Sequence, residues 1–485
     1  MQQNKSLVDY FCEHLGKLRK VYEVESGRAI TFDQLYANAC SKGALFAQEE
    51  KKIITVVLPN AIEYIECLLA VLMTRNIFNP VPYFISLQEL KKVLNYIEPT
   101  YIITDREDII ETFGQEYRVM RPADGAQKAG TVRKTTDEEL PAALYYSSGT
   151  TGNPKGVLYS HKNMVSLIAS IIRGFKFTEN DHQLAFLPFG HTASINYNIL
   201  PALMVGSDLY ISNGFESLRN SFFEVLSKHQ ITYTEIVPTV LLMLLKLNVD
   251  VSKYDFSALH FIGCGSSTLP LVSQEAFIEK YRIKVANLYG LSESGPTHID
   301  DPLALGWKPG SIGVPLDVNA CRIDADGEIL LKGDNIFIGY YKNECLYREV
   351  VQEGWFHTGD LGYEKDGKFY YVDRKKDLII KGGINIVPME VEEALYKHAN
   401  VHECVVVGEQ SELYGEEVVA VVVAKSPVDE QAFISELKIC CKNELTNYKV
   451  PLHIYIWQEL PKTHSNKLMR RTVRDIINAK AKKTQ

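Results

Sequence analysis

The chain has 485 residues, more than one hydrophobic core usually serves, so two or more domains are expected. With 46% hydrophobic and 23% charged residues it is composed like an ordinary globular enzyme, and a formal net charge of −8 argues against general nucleic-acid binding. Its nine cysteines lack metal-ligand spacing and suggest reduced thiols rather than a disulfide framework.

The first residues, Met1 to Lys5, contain no apolar run of the signal-peptide kind, and the most apolar run, Cys67 to Met73, falls far short of a membrane span. A cytoplasmic protein without membrane insertion is expected. Ile53 to Leu58 reads as a buried strand, followed by Asn60 as a helix cap and an apolar helix to about Met73. Pro80-Val81-Pro82 breaks the pattern, and Tyr101 to Asp105 is a second strand. Strand–helix alternation of this kind predicts an α/β fold with a largely parallel sheet.

After a polar connecting loop over 121–139, an apolar run from Ala142 to Tyr146 opens into Ser147-Ser148-Gly149-Thr150-Thr151-Gly152-Asn153-Pro154-Lys155-Gly156. Glycines let backbone N–H groups approach an anion, hydroxyls add donors, and Lys155 adds a point charge. The stretch reads as a polyphosphate cradle. It is not a Walker loop, because no Gly-Lys-Ser/Thr closes it.

Further along, Asn163 to Gly174 forms a helical stripe, and Leu184 to His191 is a strand ending in a histidine. Asn220 to Lys228 reads as a helix, Thr232 to Val237 as a strand and Thr239 to Leu247 as a helix. His260 to Cys264 is a strand that enters the small-residue turn Gly265-Ser266-Ser267. Gly327 to Gly333 and Gly339 to Tyr341 read as a strand pair. The charge run Asp373-Arg374-Lys375-Lys376-Asp377, before Gly382-Gly383, marks a domain boundary. An acidic helix begins near Ile386, and a small α/β module follows, with strands over 404–408 and 418–423 and a helix over 429–443. The basic residues from Arg470 to Lys483 read as a solvated helix end.

In their order, several strings resemble the motifs of the adenylate-forming superfamily, which comprises acyl- and aryl-CoA synthetases, adenylation domains and firefly luciferases. They are the cradle, Leu187-Pro188-Phe189-Gly190-His191, the Gly265–Ser267 turn, Tyr289-Gly290-Leu291-Ser292-Glu293, Trp355-Phe356-His357-Thr358-Gly359-Asp360, the Arg374–Lys376 run and Leu460-Pro461-Lys462-Thr463-His464-Ser465-Asn466-Lys467. The resemblance implies a large N-terminal domain over 1–374, a hinge at 375–376 and a small mobile α/β domain over 377–485.

The resemblance also implies residue roles. Ser147, Ser148, Gly149, Thr150, Thr151, Gly152 and Lys155 would hold the phosphates of ATP. Gly265, Ser266, Ser267, Tyr289 and Gly290 would line the adenine and ribose, Asp360 would accept the ribose hydroxyls, and Arg374 would contact ribose or phosphate. Ser292 would donate to a phosphate, Glu293 would hold Mg²⁺, and Lys467 would be the catalytic lysine. His191, Gly290 and Leu291 would face the acid substrate, Lys376 would be the pivot, and Gly382 and Gly383 would line the thiol channel. Asn466 and Ser292 stand where the family usually has glycine and threonine.

The implied reaction converts a carboxylic acid to an acyl-adenylate and transfers it to CoA. A freestanding ligase loading the phosphopantetheine of an acyl carrier protein is the alternative. A luciferase-like oxygenase and an inactive nucleotide-binding regulator are more distant readings. No carboxylate occurs between Leu187 and Met204, where amino-acid adenylation domains pair the substrate ammonium, so a fatty or aryl acid is expected rather than an α-amino acid.

Overall fold

A computed structural model describes residues 5–125, 138–148, 154–462 and 468–484. Expectations for Gly149, Thr150, Thr151, Gly152, Asn466 and Lys467 fall outside these residues.

Two seven-stranded sheets dominate the N-terminal part. In the first, Val285–Asn287, Phe261–Cys264, Tyr233–Ile236, His182–Ala185, Asp208–Ile211 and Lys20–Glu23 run parallel, and Ala29–Thr31 adds an antiparallel edge. In the second, Pro141–Ser148, Ile77–Pro80, Ile53–Val57, Tyr101–Thr104 and Arg118–Met120 are parallel neighbours. Pro154–Ser160 and Gly339–Tyr340 extend that sheet in antiparallel fashion. Helix Ile62–Met73 is buried on every side, Glu63 alone staying partly open, which explains its lack of a polar face.

A five-stranded antiparallel sheet follows, built on Asn319–Ile323, Glu328–Gly333, Trp355–Lys365 and Lys368–Arg374. The C-terminal module has its own sheet, in which Val401–Ser411 and Gly415–Ala424 form a long antiparallel pair. Val418, Ala420 and Val422 enter one core, and Val419, Val421 and Val423 enter another beneath the C-terminal helix. The unbroken valine run thus reflects a sheet covered on both faces.

Four expectations are corrected. Asn60 does not cap a helix: the Ile62–Met73 helix begins after Ala61 without a side-chain cap. The buried Asn60 amide instead donates to the carbonyls of Phe186, Leu187 and Ser212 and accepts from the Phe189 amide, tying the two sheets together. Ser147 and Ser148 belong to the strand and pair with Lys155 and Pro154, so both ends of the cradle are held in an antiparallel strand pair. The strands Glu328–Gly333 and Gly339–Tyr340 do not pair with each other; the second joins Pro154–Ser160. The basic C-terminal helix Arg470–Thr484 does not begin in solvent. Arg470 is largely buried, donating to the Val406 carbonyl at 2.6 Å and pairing with Glu392 at 2.7 Å.

Candidate active site

Strand pairing sets the cradle's lysine beside Tyr340. Lys155 and Tyr340 lie on neighbouring antiparallel strands, and the Lys155 Nζ sits 5.2 Å from the centre of the Tyr340 ring. The Tyr340 hydroxyl donates to Glu293 Oε1 at 2.8 Å. Burial, reinforced by the Glu293 charge, holds this phenol well above its ordinary pKa, so it remains a donor. The backbone of Ser292 and Glu293 is itself pinned, by the Tyr159 hydroxyl on the Ser292 carbonyl and the Phe337 amide on the Glu293 carbonyl. Gly156 is required beside Lys155: a Cβ there would lie 2.9 Å from Leu144 and 3.1 Å from Tyr341.

A second group forms around Asp360, which faces Arg374 across the antiparallel pair Trp355–Lys365 and Lys368–Arg374. Asp360 is buried; it accepts the Tyr289 hydroxyl at 2.8 Å and lies 3.6 Å from Arg374 Nε. An ionised carboxylate offers about four lone-pair sites. The Tyr289 bond leaves Asp360 capacity for further donors such as ribose hydroxyls. Tyr289 follows Leu288, which packs on Gly263 and Gly265 at the end of strand Phe261–Cys264. Gly290 passes so close to Gly295 that a Cβ would meet its carbonyl at 2.4 Å. Leu291 pairs with Gly295 in the same short hairpin. Ser266, in the turn after Gly265, holds a left-handed φ of +68°, a strained state for a side-chain-bearing residue that recurs at binding sites.

Lys376 lies within electrostatic range of both groups. It follows strand Lys368–Arg374 in a single 3₁₀ turn whose neighbour Lys375 is paired to Asp326 and Glu328. Crowding by protein atoms, then the charges of Arg374 and Lys155, push the Lys376 pKa down to about 8. Asp360 is near enough to oppose that shift. Asp373, one residue before Arg374, reaches into the C-terminal module, where its Oδ2 accepts the Met389 amide at 3.1 Å. Lys246, from helix Pro238–Lys246, meets His402 of the same module at 2.8 Å.

The remaining site residues lie at the margins of this arrangement. His191 precedes a short helix, Thr192–Ser194, that continues into a π-helical turn, Ile195–Ile199. Gly382 and Gly383 are exposed, with φ of +58° and +81°, between the paired strands Ile379–Lys381 and Ile384–Ile386. Consecutive positive φ values of this kind define the type I′ hairpin turn, which accounts for the glycine pair in backbone terms. The stretch ending at Lys467 is flanked by a bridge between Lys462 and Leu468, which closes the base of its loop. Among the described residues, no three His, Cys, Asp or Glu side chains cluster as a metal site.

Sequence reasoning does not single out Tyr340 or Asp373. Tyr340 sits in a segment that reads as purely architectural, and only strand pairing brings it to Glu293. Asp373 looks like one more charge in a polar run, and its partner Met389 lies 16 residues further on.

A family model described as AMP-binding enzyme matches residues 13–341, and a second, the AMP-binding enzyme C-terminal domain, matches residues 390–467. The chain belongs to the AMP-binding enzyme family. It is 31% identical over 478 residues to a sulfoacetate–CoA ligase of Cupriavidus necator, covering 92% of each chain. It is likewise 31% identical over 401 residues to a 2-succinylbenzoate–CoA ligase of Bacillus licheniformis, covering 80% of this chain and 81% of that one. The o-succinylbenzoate CoA synthetase of Bacillus subtilis, solved with its acyl-adenylate intermediate, superposes with a TM-score of 0.86 at 26% identity over 98% of both chains. This AMP-binding enzyme is a ligase that activates a carboxylic acid with ATP as acyl-AMP and transfers it to CoA. No helix among its described residues is long and apolar enough to cross a membrane.

Proposed function

We propose that residues 1–374 bind the nucleotide and the acid, that the chain pivots at 375–376, and that residues 377–485 form a mobile domain carrying the catalytic Lys467. One observation carries this reading. Lys376 feels the charges of Asp360 and Arg374 in the Tyr289 group and of Lys155 in the Tyr340–Glu293 group, which supports one nucleotide site shared by both.

In the first half-reaction the acid's carboxylate oxygen attacks the α-phosphorus of ATP. An O–P bond forms, the α–β phosphoanhydride breaks, and pyrophosphate leaves. Asp360 holds the ribose and Arg374 the ribose or phosphate, while Tyr289 and the Gly265–Ser267 turn bracket the adenine. The cradle from Ser147 to Lys155 binds the β- and γ-phosphates, and Ser292 donates to a phosphate oxygen. Such catalysis consists of positioning and charge neutralisation. Lys467 is assigned the charge on the carboxylate and α-phosphate.

The residues present suit one Mg²⁺. Glu293 offers a single carboxylate with one oxygen engaged by Tyr340, and Mg²⁺ commonly takes one or two carboxylates, completing its shell with water and substrate phosphates. When bound, the ion would offset phosphate charge. In the second half-reaction the small domain turns about Lys376 and brings Gly382–Gly383 inward. The thiol sulfur then attacks the acyl carbon, a C–S bond forms, and AMP is expelled.

The substrate is a fatty or aryl acid, with His191, Gly290 and Leu291 facing it, and the nine reduced cysteines suit a cytoplasmic setting. Pyrophosphate release, screened over a panel of carboxylates with CoA, with a holo-carrier protein and with neither, tests this reading. Release that needs an acid, and a thioester formed with CoA, is the expected result. Thioester formed only on the carrier protein would reassign the acceptor, and no release with any acid would refute the reading.

A further inference from the structure

A buried carboxyl beside the Gly265–Ser267 turn is left unused by the mechanism. Glu235 lies on strand Tyr233–Ile236, opposite Gly263 of the neighbouring strand. It is 1% exposed, and neither carboxyl oxygen has a hydrogen-bond partner among the described residues. The Tyr233 hydroxyl on the same strand face also lacks a partner there, and Tyr197 of the π-helical turn is close enough to feel the Glu235 charge. Burial alone drives the Glu235 pKa well up, which favours the protonated form.

An unsatisfied buried polar group is destabilising, and an apolar residue would fill the position without that penalty. The location suggests what compensates. A Cβ on Gly265 would stand 3.7 Å from Glu235 Oε1, so the carboxyl abuts the turn assigned to the adenine and ribose. Across from it runs the Ile195–Ile199 turn that follows His191, a π-helical geometry common at functional sites. Glu235 thus lies between the Gly265 turn and the π-helical turn that follows His191, the residue assigned to the acid.

We propose that Glu235 selects the substrate, and that the acid carries an amino group at the end remote from its reacting carboxylate. On binding, the carboxyl releases its proton to solvent and accepts from the ammonium, so the site gains an ion pair and no net charge. A second anionic group at that end would face Glu235 and be rejected, which separates this enzyme from ligases of dianionic acids. The inference rests on the adenylation reading given above.

Matched acids test it: 6-aminohexanoate against heptanoate, and 4-(aminomethyl)benzoate against 4-ethylbenzoate, each pair differing by ammonium for methyl. ATP–pyrophosphate exchange gives kcat/KM for each acid in the wild type, Glu235→Gln and Glu235→Leu. The wild type should prefer the amino member of at least one pair by about tenfold or more, Glu235→Leu should reverse that preference, and Glu235→Gln should fall between. A merely structural role would lower both members together and leave the ratio unchanged. Preference for the methyl member of both pairs in the wild type, or a ratio unmoved by Glu235→Leu, overturns the proposal. Absence of exchange with every acid overturns the adenylation reading itself, and this inference with it.

Discussion

Removing the Asp360 carboxylate is the most direct test of the nucleotide site. Asp360→Ala would delete the proposed acceptor for two ribose hydroxyls, each hydrogen bond to a charged group being worth about 1.5–3 kcal/mol. The sum is about 3–6 kcal/mol, or about 10² to 10⁴ in affinity. Tyr289 already engages Oδ2 at 2.8 Å in the free protein and must share it with the ribose, so the lower half of that range applies. The KM for ATP in pyrophosphate exchange, and the Kd for AMP by calorimetry, should both rise about 10²- to 10³-fold. The substitution also strands the buried Tyr289 hydroxyl, so urea denaturation should accompany the assay; Asp360→Asn, which keeps one acceptor and the shape, should show a smaller effect. A folded Asp360→Ala enzyme whose KM for ATP stays within about threefold of wild type would refute the assignment.

Other expectations concern the two half-reactions and stability. Lys467→Ala should lose most ATP–pyrophosphate exchange yet still convert a supplied acyl-adenylate to thioester; equal loss of both steps contradicts the division of labour. Gly383→Val places a β-branched residue at φ +81°, a left-handed strain of about 1–2 kcal/mol. It should slow thioester formation about tenfold in single-turnover assays and leave adenylation near wild type, whereas an unchanged thioester rate would remove the glycine turn from the thiol path. Asp300 is buried, and its pKa is pushed up to about 6 from 3.8, mainly by burial. Because the folded state then binds the proton more tightly, its contribution is fully present below about pH 4 and is lost as pH rises through about 6. Asp300→Asn should therefore gain about 2–3 kcal/mol relative to wild type between pH 4 and pH 7, read by urea melts at both ends. A difference that stays flat with pH would show that Asp300 does not titrate this way.

Much of the fold is legible in the sequence because burial writes itself into composition. The Ile53–Val57 and Tyr101–Thr104 strands, the apolar helix to Met73 and the valine strands of the small module all show in their apolar runs. Chemistry-bearing strings such as Tyr289–Glu293 are legible for another reason: the nucleotide demands particular side chains at fixed local spacing. What stays hidden is set by tertiary contact. Asn60 looks like a cap because nothing local reveals three carbonyls from distant segments around its amide. Arg470 looks solvated because Glu392 lies 78 residues away. Glu235 gives only a faint sign, one acid within a buried strand, and its meaning depends on which face of the sheet the Gly265 turn covers.

The bond from Asp373 to the Met389 amide has a mechanical implication. Met389 stands at the second position of helix Pro388–Tyr396, where backbone amides lack intrahelical acceptors, so Asp373 serves as that helix's cap from across the hinge. The rotation proposed about Lys376 would draw Met389 away and expose an amide that the helix cannot satisfy by itself. Asp373 is thus a latch: a cap of about 1 kcal/mol biases the resting enzyme several-fold toward the arrangement seen here. If that rotation occurs, its release and re-engagement would belong to every turnover, and a residue assigned to neither acid nor thiol would help to time the change between them.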